Sequence, residues 1–179
     1  FPDTEVQLLD TATGNPVAPG EPGEIVIRGP QLMRGYFNKP EETANAVRDG
    51  WMHTGDVAKM DEDGYFYLVD RVKDMVIVSG FKVFTRELDE ILVTHRDVQM
   101  AASIGLADPE RPGSERVGCA IVLHEGVEKT DAKKEEIRAF LKERIAPYKM
   151  PRVIEFMDEL PVSGVGKVLK RELKKMMTV

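Results

Sequence analysis

Four short predicted loops bring small and polar residues together without an obvious packing role, and these are the places where chemistry is expected. They are Gly35-Tyr36, Thr54 to Asp56, Arg71 to Asp74 and Ser163 to Lys167. The carboxylate of Asp56 follows Thr-Gly at the entry to a predicted strand, where it could accept two hydrogen bonds from a vicinal diol such as a ribose. From these three residues alone, a simple turn-forming aspartate remains the favoured interpretation.

The loop from Ser163 to Lys167 places one lysine behind two glycines. Gly164 and Gly166 would let the backbone approach a ligand closely. The loop is not a Walker P-loop, because the spacing from the first glycine to the lysine differs and no Ser or Thr follows Lys167. A solvated lysine at a glycine-rich helix entry and a lysine aimed at a ligand therefore both remain open.

The elements that must position these residues differ between the two parts of the chain. Residues 1–70 are β-rich and acidic, with 13 acidic and 5 basic side chains. Alternating apolar residues and Gly/Pro boundaries predict two strands and a hairpin, and Pro40 predicts the start of a helix. The predicted elements are strands Glu5 to Leu9 and Glu24 to Arg28, a helix over Glu41 to Arg48, and a hairpin of Val57 to Met60 and Tyr65 to Val69 around Asp61 to Gly64.

After Arg71 the pattern alternates between strands and amphipathic helices. The predicted strands are Met75 to Val78, Ala102 to Leu106, Val117 to Leu123 and Val153 to Phe156. One helix is expected from an N-cap at Thr85, with Leu88, Ile91 and Leu92 on its buried face. A second is expected over Asp131 to Ile145 with Thr130 as its cap, and a final amphipathic helix carries Leu169, Leu173 and Met176. The cations near the end of the chain, Lys170 among them, are interpreted as a solvated helix face.

These patterns predict an α+β fold class with two unlike parts. The expected organisation is an incomplete β-rich domain over residues 1–70, a connection over residues 71–74 and a compact α+β domain over residues 75–179. Because the sequence opens on Phe1 without a methionine or a signal peptide, we expect it to be cut from a longer protein.

Composition bounds the class of protein. With 42% hydrophobic and 31% charged residues, the chain is typical of a soluble globular protein. Its apolar runs are far shorter than the roughly 20 residues that span a bilayer. The net charge of −6, without a basic stripe, argues against nucleic-acid binding. A single cysteine, Cys119, excludes an internal disulfide and favours a cytoplasmic location, and its apolar surroundings predict a core residue and not a nucleophile.

Five segments together resemble, in order and spacing, the late motifs of the acyl-CoA synthetase, adenylation-domain and luciferase superfamily. The resemblance covers nearly the whole chain, and coincidence of five segments in register is negligible. The segments are Gly23 to Pro30 with Gly35 to Glu41, Gly50 to Asp56, Gly64 to Asp74, Val78 to Val83, and Leu160 to Arg171.

The resemblance implies the C-terminal portion of an ATP-dependent, AMP-forming long-chain fatty-acid CoA ligase. A carboxylate would attack the α-phosphate of ATP to give acyl-AMP and pyrophosphate, and the thiol of CoA would then take the acyl group. The fold implied is the end of a large adenylate-binding domain followed by a small mobile α+β domain. In the superfamily, the glycine-rich phosphate loop, the acyl pocket and the Mg²⁺-binding acid lie upstream, so this chain alone is expected to be inactive and to hold no metal.

Roles follow from matching positions. Tyr36, Thr54, Asp56 and Arg71 would bind the nucleotide, with Asp56 on the ribose hydroxyls and Arg71 on ribose or phosphate. Lys167 would be the catalytic cation of the adenylation step. Lys73 would be the hinge residue about which the small domain swings between the half-reactions, or else an ordinary surface lysine. Gly80 and Phe81 would line the CoA site, although Gly80 could simply end a strand.

The implied partners are a fatty acid or other carboxylic acid, ATP, CoA and the rest of the ligase N-terminal domain. The spacing of Pro161, Gly166 and Lys167 also resembles that recognised by lysine acetyltransferases, and location at the periphery of a membrane is compatible with such a ligase. Alternatives are a fatty-acyl-AMP ligase that serves a carrier protein, an aryl-CoA ligase, a luciferase-like oxidase, and a non-catalytic docking fragment. The segments Asp70 to Lys73 and Val78 to Phe81 look most like those of medium- or long-chain fatty-acyl-CoA ligases.

Overall fold

A computed structural model describes residues 2–177 of the chain. The chain divides into two compact units, Phe1–Lys73 and Asp74–Val179. Within the described residues the first unit contains the elements β1 Glu5–Leu9, β2 Gly23–Arg28, α1 Pro40–Ala46, β3 Val47–Arg48, β4 Trp51–Met60 and β5 Phe66–Arg71, followed by the start of a short 3-10 helix over Val72–Asp74. The second unit contains β6 Val76–Val78, β7 Phe81–Val83, α2 Thr85–Leu92, β8 Val98–Ala107, β9 Glu115–Leu123, α3 Asp131–Lys142, a 3-10 helix over Pro147–Lys149, β10 Val153–Met157 and α4 Lys170–Met177.

The first unit is an antiparallel sheet in which β4 is the central strand. The strands lie in the order β1-β2-β4-β3, and β5 pairs with β4. Strand β1 matches its predicted bounds, and β2 begins one residue earlier than predicted. The predicted helix is wrong at its end, because Val47 and Arg48 take an extended conformation and pair with Met52 and Trp51 as β3.

The predicted hairpin around Asp61 is confirmed by the pairing of β4 with β5. The Asp61 carboxylate accepts hydrogen bonds from the backbone amides of Asp63 and Tyr65 and from the Tyr67 hydroxyl. These bonds lower the pKa of Asp61 from its usual value. The expectation that Thr54 to Asp56 form a loop is wrong, since all three residues lie within β4.

The second unit is built on a three-stranded sheet whose central strand is buried on both faces. Strand β10 runs parallel to β9, and β8 runs antiparallel to it. Val117, Cys119 and Ile121 of β9 face a core formed with α2 and α3, while Ala120 and Val122 face a second core formed with α4. Burial on both faces explains the continuous apolar run of β9. The predicted α+β class is confirmed.

The turn Ser79-Gly80 joins β6 to β7. The sequence analysis predicted β6 but missed β7. Ser79 and Gly80 have φ angles of 50° and 87°, and two such residues suit a tight hairpin turn. The turn therefore leaves Phe81 at the start of a strand that runs back along β6.

The helices of the second unit depart from prediction mainly at their ends. Helix α2 starts at Thr85 and not after it, so Thr85 is not the N-cap. Thr130 caps α3 as predicted by accepting a hydrogen bond from the Lys133 amide at 3.2 Å, although α3 ends at Lys142. In α4 the residue buried one turn after Leu173 is Met177, while Met176 is exposed. None of the helices described over residues 2–177 is long and apolar enough to cross a membrane.

Candidate functional site

Asp56 and Arg71 lie opposite each other on β4 and β5. They are direct partners in the strand register, and Arg71 Nε lies 3.3 Å from Asp56 Oδ1. Their side chains remain 38% and 57% exposed, which leaves polar atoms of both open to a ligand. A carboxylate beside a guanidinium offers both acceptors for hydroxyl groups and donors for oxyanions. The fold therefore brings together two residues that are 15 positions apart in the sequence.

A β-bulge next to Gly55 sets the direction of Asp56. Gly55 has a φ of +73°, and the pairing of β2 with β4 shifts register between Glu24 and Val26. The Thr54 hydroxyl donates to the carbonyl of Ile25 at 2.8 Å and accepts from the Asp56 amide at 3.1 Å. The Thr54 side chain thus holds the backbone of Asp56 in place.

Two residues that the sequence analysis missed, Glu24 and His53, stabilise this bulge. The Glu24 carboxylate accepts a hydrogen bond from the Gly55 amide at 3.1 Å and lies 3.0 Å from Nδ1 of His53. Both side chains are mostly buried. Only the register of β4 with β2 reveals that Glu24 meets His53 and Gly55.

Tyr36 lies on a separate segment that packs against α1. Its amide donates to the Thr43 hydroxyl at 2.9 Å, and a Cβ on Gly35 would come within 2.9 Å of the Thr43 side chain. Tyr36 is half-exposed in a shallow depression with Lys39 and Asn45, whose lining does not include Asp56 or Arg71.

The lysine loop, defined here as Ser163 to Lys167, is a tight turn closed by its own backbone. The Ser163 amide donates to the Lys167 carbonyl at 2.8 Å, and the Gly166 amide donates to the Ser163 carbonyl at 2.8 Å. Gly166 has a φ of +78°, which suits a glycine. Lys167 is exposed, and among residues 2–177 its ammonium has no ion-pair partner. The loop precedes α4 by two residues and is not the first turn of that helix.

Phe81 forms an aromatic platform with Tyr148. The two rings stack with centroids 4.9 Å apart and an interplanar angle of 26°. They line a cavity of about 500 Å³ together with Arg111 and Arg116. Arg111 donates to the Ser79 hydroxyl at 2.7 Å, and Nε of Arg116 is buried without a hydrogen-bond partner in the described part of the chain. Aromatic faces beside guanidinium groups suit a ligand with a flat ring and an anionic group.

An ion pair of the next residue, Lys149, with both carboxylate oxygens of Glu87 holds the segment of Tyr148 in position. Lys149 Nζ lies 2.8 Å and 2.6 Å from the two carboxylate oxygens of Glu87 on α2. The sequence analysis did not single out this segment, although the adjacent aromatic and basic residues Tyr148 and Lys149 were a signal. Lys73, the predicted hinge residue, lies in the 3-10 helix that follows β5 and is exposed.

The interpretation of Lys170 as part of a solvated helix face is wrong. Its ammonium lies 3.0 Å from Asp89 Oδ2 and 2.8 Å from the Thr85 hydroxyl, and only 21% of its side chain is exposed. Asp89 Oδ1 in turn accepts a hydrogen bond from the Ser103 amide at 2.5 Å. Burial raises the pKa of Asp89, and the charge of Lys170 opposes that rise.

Cys119 is fully buried, as predicted for a core residue. Its Sγ lies 3.2 Å from the Ser103 hydroxyl. Burial raises the pKa of the Cys119 thiol to about 12, so the thiol is not a nucleophile near neutral pH.

One group of side chains within residues 2–177 has the composition of a metal site, His95 with Asp97 and Glu136. The Lys133 ammonium donates to both carboxylates, at 2.7 Å and 2.5 Å, and already supplies the positive charge there. An imidazole and two carboxylates paired with a lysine do not suit Mg²⁺, which prefers oxygen ligands.

Two family models match parts of the chain. The model described as AMP-binding enzyme matches residues 1–37, and the one described as AMP-binding enzyme C-terminal domain matches residues 87–167. Both descriptions name AMP-binding enzymes, and the two models together match about two thirds of the chain.

The similar proteins include a long-chain-fatty-acid–CoA ligase and a feruloyl-CoA synthase. The chain is 45% identical to the long-chain-fatty-acid–CoA ligase of Bacillus subtilis over 97% of its own length and 30% of that protein. It is also 45% identical to a feruloyl-CoA synthase of Amycolatopsis over 96% of its own length and 34% of that protein. The crystal structure of ATP-bound MatB from Rhodopseudomonas palustris matches with a TM-score of 0.85 and 32% identity, over 98% of this chain and 34% of that one. The chain thus spans about a third of the length of these proteins.

Proposed function

We propose that this chain is part of an AMP-forming acyl-CoA ligase that activates a fatty acid with ATP and transfers it to CoA. The observation that supports this most is the pairing of Asp56 with Arg71 on adjacent strands, half-exposed and held by a bulge. In this proposal residues 1–70 belong to the adenylate-binding domain, residues 71–74 act as a hinge at Lys73, and residues 75–179 form the small domain.

The nucleotide is proposed to bind through the first unit. The Asp56 carboxylate accepts hydrogen bonds from both ribose hydroxyls, and the Arg71 guanidinium donates to ribose or phosphate oxygens. Thr54 fixes the backbone of Asp56, and Tyr36 lines the nucleotide pocket. Exposed apolar side chains on β5, such as Tyr67 and Leu68, support further packing of this unit against the rest of the ligase domain.

Lys167 is proposed to act in the adenylation step. As the carboxylate of the acid attacks the α-phosphate, negative charge accumulates on the phosphoryl oxygens, and a positioned ammonium stabilises it. The exposed side chain on a tight turn supports this role, because the charge is available and its backbone is fixed. The same exposure supports the prediction that an acetyltransferase could silence the enzyme by removing the charge of Lys167.

CoA is proposed to bind at the second unit beside Gly80 and Phe81. The stacked rings of Phe81 and Tyr148 offer a platform for adenine, and the neighbouring guanidinium groups suit its phosphates. The Mg²⁺ that the resemblance implies has no suitable ligand set within residues 2–177.

An aryl-CoA ligase is the second candidate function. The feruloyl-CoA synthase and the fatty-acid ligase are equally identical to this chain, at 45% each. The chain spans about a third of either protein, so the substrate has to be tested with the complete enzyme. Activity on a panel of fatty acids and hydroxycinnamates distinguishes the two functions. Fatty acid remains the proposed substrate because of the segments Asp70 to Lys73 and Val78 to Phe81.

The test uses a chimeric ligase, in which this chain replaces the matching 173 residues of the Bacillus subtilis enzyme. Lys167→Ala should lower the rate of acyl-AMP formation by about 10²- to 10³-fold and leave thioester formation from supplied acyl-AMP nearly unchanged. Pyrophosphate release and acyl-CoA production measure the two steps. Lys175→Ala is the matched control, because Lys175 is an exposed lysine that pairs with Glu172 in its own helix. Equal loss in both steps, or a folded chimera that makes no acyl-CoA, would contradict the proposal.

A further inference from the structure

We propose that Lys170 is a positioning residue for Lys167, because its ion pair with Asp89 anchors the lysine loop on helix α2. This inference rests on the proposed function in that Lys167 is taken as the cation of the adenylation step. Lys170 does not itself touch the reacting atoms. Its role is to fix where the loop places the Lys167 ammonium.

The lysine loop depends on its flanks for its place in the fold. Its backbone hydrogen bonds close the turn internally, and within residues 2–177 they join it to no other element. Before the loop, Leu160 is buried in the core beside α4. After it, the amide of Leu169 donates to the Pro161 carbonyl at 2.7 Å, and Lys170 begins the helix. Val168 packs partly against the second core, and Lys170 is the first side chain after the loop that forms an ion pair with a different element.

The partners of Lys170 on α2, Thr85 and Asp89, are themselves held in place. Lys170 Nζ bonds to Asp89 Oδ2 and to the hydroxyl of Thr85, which is fully buried. The other oxygen of Asp89 accepts a hydrogen bond from the amide of Ser103, a fully buried residue of β8. One ammonium thus ties the start of α4 to α2, and through Asp89 to the sheet. Charged pairs with their remaining hydrogen bonds satisfied hold a defined geometry.

Another lysine of α4 provides the contrast. Lys175 is 64% exposed and pairs with Glu172 within the same helix, so it fixes α4 to nothing else. Exposed pairs of this kind contribute little. Removing the charge of Lys175 lowers the net charge of α4 by the same amount as removing that of Lys170. It leaves the ion pair between Lys170 and Asp89 intact.

A displaced loop should slow chemistry more than it weakens binding. Misplacing a catalytic group by about 1 Å can cost roughly a hundredfold in rate. In the chimeric ligase, Lys170→Met should lower the kcat of acyl-AMP formation by about 10- to 100-fold with the KM for ATP and acid unchanged. Thioester formation from supplied acyl-AMP should not change. Lys170→Arg should recover most of the kcat, because a guanidinium keeps the charge-assisted bonds to Asp89.

Hydrogen exchange of this chain tests the anchor without any activity. The amides of Gly166 and Leu169 are hydrogen-bonded within and beside the loop, and Lys170→Met should speed their exchange while Lys175→Met does not. The double variant Asp89→Asn/Lys170→Met removes both charges and leaves no unpaired buried carboxylate, so it serves if the single variant fails to fold. Circular dichroism checks the fold of each variant.

The outcomes separate the two proposals. Unchanged exchange and unchanged kcat in a folded Lys170→Met or double variant would overturn the anchor. An equal fall in both half-reactions, or a kcat that Lys170→Arg does not recover, would reduce Lys170 to a general structural role and also overturn it. Faster exchange at Gly166, combined with loss of adenylation in Lys170→Met but not in Lys167→Ala, would refute the role of Lys167 and leave the anchor standing.

Discussion

The thiol of Cys119 illustrates how burial controls the chemistry of a single side chain. Residues from both neighbouring strands and from α2 and α3 enclose it, and the Ser103 hydroxyl is its polar contact. The charged form of the thiol cannot be solvated there, so its pKa rises to about 12. The side chain therefore acts as a small apolar residue of the core.

This burial predicts a stability change at alkaline pH. The folded pKa of about 12 lies above the unfolded value, so the contribution to stability is fully present below about pH 9 and is lost as pH rises towards 12. The free energy of unfolding of the wild-type chain should fall by about 1 kcal/mol more per pH unit between pH 9 and 11 than that of Cys119→Ala. Urea unfolding at several pH values measures this difference. Parallel pH profiles for the two proteins would contradict it.

At the scale of elements, the bulge in β4 decides where the candidate nucleotide site lies. Gly55 adopts a positive φ of 73°, and Asp56 follows it immediately. Apart from Gly55 and its two chain neighbours, no described residue has an atom within 4 Å of a Cβ added at Gly55, so only the backbone conformation calls for glycine. A substitution at Gly55 therefore tests backbone strain without a steric clash of the new side chain.

Gly55→Ala should destabilise the first unit by about 1–2 kcal/mol, because alanine is strained in the left-handed region. Gly55→Asn should cost less, since asparagine visits that region more readily. Trp51, the only tryptophan of the chain, lies at the start of β4 and reports unfolding by its fluorescence in urea. The prediction is wrong if alanine and asparagine shift the unfolding midpoint equally.

At the scale of the whole molecule, the two units differ in how completely they bury apolar side chains. The second unit has a core on each face of its sheet, containing Leu88 and Ile137 on one side and Leu173 on the other. The first unit buries Val26, Val57 and Ala58 but exposes aromatic residues of β5. This difference supports the proposed division at the hinge.

The second unit should therefore fold by itself. A protein of residues 74–179 should unfold cooperatively in urea and give a dispersed amide spectrum, because its two cores use side chains of that unit alone. Cys119→Asp within it should abolish folding and serves as the control, since it places an unpaired charge in the core. A gradual, non-cooperative transition of the unaltered unit would count against the domain assignment.

The sequence by itself determined the class of fold, most strands and helices, and the segments that carry chemistry. Local signals sufficed there: alternation gave β1 and the β4-β5 hairpin, Thr130 gave the cap of α3, and the apolar surroundings of Cys119 gave its burial. The exact ends of helices were missed where competing strand pairing or packing decided them, as at Val47 and Met177.

Only the tertiary structure decided which distant groups meet. The pairs Asp56 with Arg71, Glu87 with Lys149, and Asp89 with Lys170 join elements separated by 15, 62 and 81 positions. A lysine on an amphipathic helix has the same local pattern whether it is solvated or paired, so the sequence could not distinguish Lys170 from Lys175. Strand register and helix docking, which depend on the whole core, supply the partner and with it the role.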